Sequence, residues 1–111
     1  MTMITTHILD TSLGKPAANV RVWLEKIDGE QQQKINQTLT DADGRATDLT
    51  PHGVAAGNYR LYADIGSYFA ASGRETLYKL AIIDVIIAAG QAHYHLPLLL
   101  GPYSYSTYRG S

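Results

Sequence analysis

Between Val20 and Lys26 the chain sets Val20, Val22 and Leu24 against Arg21, Trp23 and Glu25. Between Tyr59 and Ile65 it sets Tyr59, Leu61, Ala63 and Ile65 against Arg60, Tyr62 and Asp64. A period of two gathers the apolar residues on one face of a strand and scatters them around a helix. Strands that are apolar on one face need a second layer to cover it, so the repeated alternation demands packed sheets.

The rest of the chain follows the same pattern. Ile4 to Leu9 forms a first strand, closed by Asp10-Thr11 and a Gly14-Lys15-Pro16 turn. Asp28-Gly29 supplies a hairpin-type turn, and Gln31 to Thr40 is a polar strand suited to an edge or a solvated face. Asp41-Ala42-Asp43-Gly44 makes a second turn, and Asp48 to Gly57, with Pro51 and Gly53, makes a loop. Thr76 to Ala88 is rich in β-branched residues and reads as a buried strand or as one half of an interface. Ala92 to Leu100 and Tyr103 to Tyr108 are the last two strands, parted by Gly101-Pro102. Ser67 to Ser72 differs: Tyr68-Phe69-Ala70-Ala71 lies between Gly66 and Gly73 and predicts a helix of about two turns. Roughly seven or eight short strands and one short α-helix predict an all-β fold, an antiparallel β-sandwich.

Composition narrows the function. The 111 residues fit a single domain spanning 1–111, small enough that oligomerisation would help its modest core. Hydrophobic residues make up 45% and charged residues 17%, a globular balance. The formal net charge of −1 leaves no basic excess for nucleic acid. With no cysteine, disulfides and thiolate metal sites are excluded. The apolar stretch Leu80 to Ala89 contains Asp84 and is too short to cross a membrane. Met1 to His7 lacks a basic start followed by an apolar run, so a cytoplasmic location is expected.

Four polar features ask for an explanation. His7 sits mid-strand on the face of Thr5 and Leu9, where a lone structural histidine would also fit. Arg45 follows the Asp43-Gly44 turn, a place that also suits a surface ion pair. In His93-Tyr94-His95, parity puts His93, His95, Pro97 and Leu99 on one face and Tyr94, Leu96, Leu98 and Leu100 on the other. Two same-face histidines can chelate zinc, with His7 as a third ligand, but no cysteine or adjacent carboxylate supports such a site. Finally, Tyr103, Tyr105 and Tyr108 crowd a segment that ordinarily frays. Strand parity groups Ser104, Ser106, Tyr108 and Gly110 on one face. Aromatics with polar tips suit a surface that docks against another subunit; an incidental aromatic edge strand is the simpler reading.

Taken in order, these segments resemble one family. Thr6-His7-Ile8-Leu9-Asp10, Gly14-Lys15-Pro16-Ala17, Thr40-Asp41-Ala42-Asp43-Gly44-Arg45, Tyr68-Phe69-Ala70-Ala71-Ser72-Gly73-Arg74-Glu75 and His93-Tyr94-His95-Leu96-Pro97-Leu98-Leu99-Leu100 are similar to the transthyretin-like proteins in order and spacing. The closing Tyr108-Arg109-Gly110-Ser111 is the tetrapeptide of the family's hydrolases, which the hormone carrier lacks. The resemblance runs from residue 5 to residue 111. Two departures stand out: Thr76-Leu77-Tyr78-Lys79-Leu80 replaces an aromatic pair leading into Pro-Glu, and Gly101 replaces a usual serine.

The resemblance implies an eight-stranded transthyretin/prealbumin-like sandwich with one short helix. It also implies a homotetramer, a dimer of dimers, whose central channel carries the active sites. The implied activity is hydrolysis of 5-hydroxyisourate to 2-oxo-4-hydroxy-4-carboxy-5-ureidoimidazoline in urate catabolism, with no metal or organic cofactor. By motif position the catalytic residues fall on His7, Arg45, His95 and Ser111, and substrate-binding residues on His7, Arg45 and Tyr108. Opening a cyclic amide needs an activated water, a stabiliser for negative charge and a proton for the leaving nitrogen. Histidine exchanges protons near neutral pH, and arginine offers a planar donor fork. The alternative is a non-enzymatic small-ligand carrier using the same channel, as in transthyretin. A passive apolar channel has little use for two histidines and an arginine. A structural sandwich that uses the Ile82 to Ile87 run as an interaction edge is a third reading and leaves the polar residues unexplained.

Overall fold

The computed structural model describes residues 1–111. The strands are β1 (Met3–Asp10), β2 (Lys15–Pro16), β3 (Arg21–Asp28), β4 (Gln31–Leu39), β5 (Arg45–Ala46), β6 (Gly57–Ala63), β7 (Ala81–Ile87), β8 (His93–Gly101) and β9 (Ser104–Thr107), with one helix, α1 (Ile65–Ala71). One sheet runs β2-β1-β8-β9, with β5 also paired to β1, and the other runs β4-β3-β6-β7. Two of the nine strands are only two residues long.

The core lies between the sheets and is made by strand alternation. In β1, Ile4, Thr6, Ile8 and Asp10 point inward while Thr5, His7 and Leu9 face out. In the other sheet, Val22 and Leu24 of β3 lie beside Ala63 and Leu61 of β6 on the inner face. Leu96, Leu98 and Leu100 of β8 complete the packing. Burial of such side chains, worth about 1.5–3 kcal/mol each, is the main drive to this arrangement.

The two-sheet sandwich with one short helix is as the sequence predicts. The pairing is not uniformly antiparallel, because β1 and β8 run parallel, from Met3 opposite His93 to Asp10 opposite Leu100. A parallel pair needs a crossover, and here the whole second sheet and α1 lie between the two strands.

Two element boundaries and one burial expectation also change. Ile65 does not extend β6; it opens α1, because Asp64 caps the helix by accepting from the Ser67 N–H at 3.1 Å. Thr76 to Leu80 is not strand. The Leu77 N–H and the Thr76 hydroxyl both donate to the Pro102 carbonyl, which holds this segment to the last turn. The strand that follows, β7, is the outer strand of its sheet and is not buried on both faces: Ile82 is 46% and Ile86 79% exposed. Polar β4 is the opposite edge, as expected. A bulge at Leu24/Glu25 leaves its Ile35 without a strand partner and packed against the core.

A buried ionic cluster ties β1 to the helix. Asp10, fully buried, accepts from Arg74 at 2.7 Å, from the Tyr68 hydroxyl at 2.8 Å and from the Ser12 hydroxyl. Burial pushes the Asp10 carboxyl up, but the Arg74, Ser12 and Tyr68 hydrogen bonds and the Arg74 charge outweigh it and hold its pKa at about 2.

Candidate active site

The outward face of the five-stranded sheet collects the predicted polar residues. His7 pairs with Arg45 across β1 and β5, and Thr5 pairs with His95 across β1 and β8. Laterally paired residues in a sheet project to the same side, so His7, Arg45, Thr5, His93 and His95 share one face.

Turn chemistry delivers Arg45 there. The Asp41 carboxylate accepts from the backbone N–H groups of Asp43 and Arg45, each at 2.9 Å. The Gly44 carbonyl accepts from the Ile8 N–H at 2.7 Å. Gly44 has φ +77°, and a Cβ there would stand 2.3 Å from the Ile8 carbonyl oxygen, so only glycine lets the turn lie this close to β1. Arg45 itself is exposed and enters none of the protein's three salt bridges, unlike the surface ion pair that its position also suited.

His7 is oriented through one ring nitrogen. Its Nε2 lies 2.8 Å from the Asp43 carbonyl oxygen. A carbonyl only accepts, so Nε2 carries the hydrogen and Nδ1 is left free.

His95 is tied differently. The Thr5 Oγ1 lies 2.8 Å from His95 Nδ1 and 2.7 Å from His93 Nε2, so one hydroxyl joins both rings and His95 Nε2 stays free. Partial burial, then the neighbouring charges of His93, His7 and Arg45, hold the His95 pKa below the usual histidine range. His95 is therefore neutral near pH 7. No set of three histidine, cysteine or carboxylate side chains converges closely enough to ligate a metal ion, so His7, His93 and His95 do not make the zinc arrangement that their types allowed.

The tail returns to His95. Leu98 pairs with Thr107 and His95 with Gly110 in one continuous register, which sets Tyr108 opposite Pro97. Pro97 has no N–H to donate, and its carbonyl already accepts the Thr107 hydroxyl at 2.7 Å. The ladder therefore breaks at Tyr108-Arg109 and resumes at Gly110, whose N–H donates to the His95 carbonyl at 2.8 Å. This brings Ser111 next to the residue paired with His95. Tyr108 is 57% exposed and borders a cavity of about 320 Å³ with Ile83, Ile86, Tyr94 and Leu96. Thus one protomer brings His7, Arg45, His95 and the Gly110-Ser111 end together and sets Tyr108 at the β7 edge.

Thr5 and His93 were placed on the correct face by parity, yet they carried no assigned role. Their link to His95 depends on the parallel β1–β8 register, which residue patterns do not reveal. Gly110 also gave no signal of its close approach to the His95 ring.

Comparison with known proteins identifies the family. Residues 4–110 match the family model described as HIUase/Transthyretin family. The chain is 46% identical to a 5-hydroxyisourate hydrolase of Caulobacter vibrioides, with 100% of each chain covered. It is similar to the structure of Klebsiella pneumoniae 5-hydroxyisourate hydrolase, with TM-score 0.90, 41% identity and 100% of both chains covered. It is also similar to transthyretin from Sparus aurata, with TM-score 0.90 and 29% identity, covering 99% of this chain and 97% of that one. On the family match and the full-length identity, this chain belongs to the HIUase/Transthyretin family.

Proposed function

We propose that this protein hydrolyses 5-hydroxyisourate, opening the ring to 2-oxo-4-hydroxy-4-carboxy-5-ureidoimidazoline in urate degradation. The observation that carries this reading is the convergence of His7, Arg45 and His95 on one sheet face of a chain that matches 5-hydroxyisourate hydrolases over its full length. A passive carrier would gain nothing from two histidines and an arginine gathered there.

The geometry supports the following roles. His95, kept neutral, takes a proton from the attacking water at its free Nε2 and later returns it to the leaving nitrogen. Arg45, free of any carboxylate partner, donates to the oxygen that gains negative charge. His7, anchored through Nε2, presents Nδ1 to take the second water proton as the carboxylate forms. Ser111, delivered by Gly110, orients His95 or the substrate. No step calls on a metal or organic cofactor.

The face is open in a single protomer, with Arg45 and His93 exposed, and cavities of about 320–620 Å³ lie around α1, at the Met1 end and along β7. Excluding water from it takes a second surface. A homotetramer in which copies meet across this face would supply one, and the exposed Ile82, Ile86 and Tyr108 along the β7 and β9 edges suit the other contact of a dimer of dimers. In that assembly Tyr108 would position substrate in a neighbouring subunit's site. No helix is long and apolar enough to cross a membrane, and a cytoplasmic location is proposed on the sequence reading above.

The test is a spectrophotometric assay on freshly generated 5-hydroxyisourate. The protein should speed its disappearance well beyond the spontaneous rate. Equal rates with and without protein would overturn the reading.

A further inference from the structure

The Thr5 hydroxyl has one hydrogen and stands between two imidazoles, 2.7 Å from His93 Nε2 and 2.8 Å from His95 Nδ1. It cannot donate to both. If it donates to His93, then His95 must donate from Nδ1 and its Nε2 is bare; if it donates to His95, the His95 Nε2 carries the hydrogen. The tautomers of the two rings are therefore locked together through Thr5. His93 is exposed whereas His95 is half-buried, so the pair joins a ring poorly able to hold charge to one that water can solvate.

We propose that His93, Thr5 and His95 form a relay that moves the catalytic positive charge out to His93 and back within each turnover. This rests on the hydrolase reading, in which His95 is the base. In the resting arrangement His95 carries its hydrogen on Nδ1, Thr5 donates to His93 Nε2, and His93 carries its hydrogen on Nδ1. As the water oxygen bonds to the ring carbonyl carbon, one water proton moves to His95 Nε2. The His95 Nδ1 hydrogen passes to Thr5 Oγ1 while the Thr5 hydrogen passes to His93 Nε2, leaving His93 as the imidazolium. When the C–N bond breaks, the leaving nitrogen takes the proton from His95 Nε2 and both transfers reverse. The relay is then restored, and the proton that the product carboxyl loses leaves through His7.

The surroundings favour the outward transfer. Facing His95 are His7 from β1 and Arg45 from β5 as well as His93 from β8, and the Ser104 and Ser106 side of β9 adds no countercharge. Burial first, then the proximity of His93, His7 and the Arg45 guanidinium, opposes a charge on His95. Thr5 and His93 are thus positioning residues that act through His95.

Two substitutions test this with the full-length protein and 5-hydroxyisourate. Thr5→Val keeps the branched shape and removes the hydroxyl; kcat should fall about 100-fold, the lower end of the acid–base range, with KM little changed and Thr5→Ser close to wild type. His93→Ala should fall similarly and recover as free imidazole is added at constant pH, whereas wild type and Thr5→Val should not respond. Wild-type kcat in Thr5→Val, or a loss in His93→Ala that imidazole does not restore, would overturn the relay. Should Thr5→Val fail to fold, the imidazole titration of His93→Ala decides alone. An inactive His95→Ala alongside unaffected Thr5→Val and His93→Ala removes the relay and keeps the hydrolase reading; no hydrolysis by wild type removes the hydrolase reading itself.

Discussion

Gly110 lies against the edge of His95 that carries the free Nε2: a Cβ at 110 would stand 2.6 Å from His95 Cδ2 and 3.3 Å from Cγ. The ring cannot swing aside without stretching its bond to Thr5. Gly110→Ala should therefore lower kcat about 10- to 100-fold, a typical cost of misplacing a reacting group by an ångström. The melting temperature should barely move, because the contact lies outside the buried core. Steady-state kinetics and a thermal melt separate the two effects.

Deletion of Tyr108 to Ser111 should abolish most turnover while leaving the sandwich folded. The ladder is already broken at Tyr108-Arg109, and the tail is held by the Gly110 bridge, by Arg109 over the Tyr94 ring and by its exposed hydrogen bond to Gln91, so few core contacts are lost. Circular dichroism should match wild type. Normal turnover would mean that the tail contributes nothing to the site.

The acid limb of kcat/KM should lie below the usual histidine range, because the base is His95 and its pKa is lowered. A lowered pKa keeps the ring neutral, and so basic, to more acidic pH. Arg45 is one cause of the lowering, after burial and the other two histidines, so Arg45→Gln should move the limb to higher pH as well as reduce the rate. A pH–rate profile of both proteins checks the sign.

Asp10 gives a stability prediction independent of the site. Its pKa is depressed from 3.8 to about 2, so its contribution is fully present above the ordinary carboxylate value and is lost as pH falls through the folded one. Asp10→Asn should cost about 2 kcal/mol near neutral pH, a fall of roughly 10 °C in Tm, through lost charge-assisted hydrogen bonds. The difference from wild type should shrink as pH approaches 2.

Purified protein should keep its turnover after chelator treatment, since no proposed step uses a metal. Dependence of the rate on added zinc would direct attention back to His93 and His95.

Much of the sandwich was legible because alternation reports burial directly: Val22, Leu24, Leu61 and Ala63 are inward as their spacing requires. The helix start was less so, since Ile65 continues the apolar beat of β6 and only the cap at Asp64 ends it. The parallel pairing of β1 with β8 is a long-range choice that no local pattern records. The same limit hid the role of Thr5, whose place on the face was evident but whose neighbours came from a strand some ninety residues on. The break in the ladder at Tyr108 was hidden for the same reason, since it depends on Pro97 opposite, which has no N–H to donate.

The most direct measurement compares wild type with His95→Ala and Arg45→Ala on freshly generated 5-hydroxyisourate, each variant first shown to be folded. Wild type should hydrolyse the substrate, and both variants should lose about 100-fold or more in kcat/KM, the scale set by removing a general base or an oxyanion donor. Turnover at the wild-type rate in either variant would contradict the assignment of the reaction to this face.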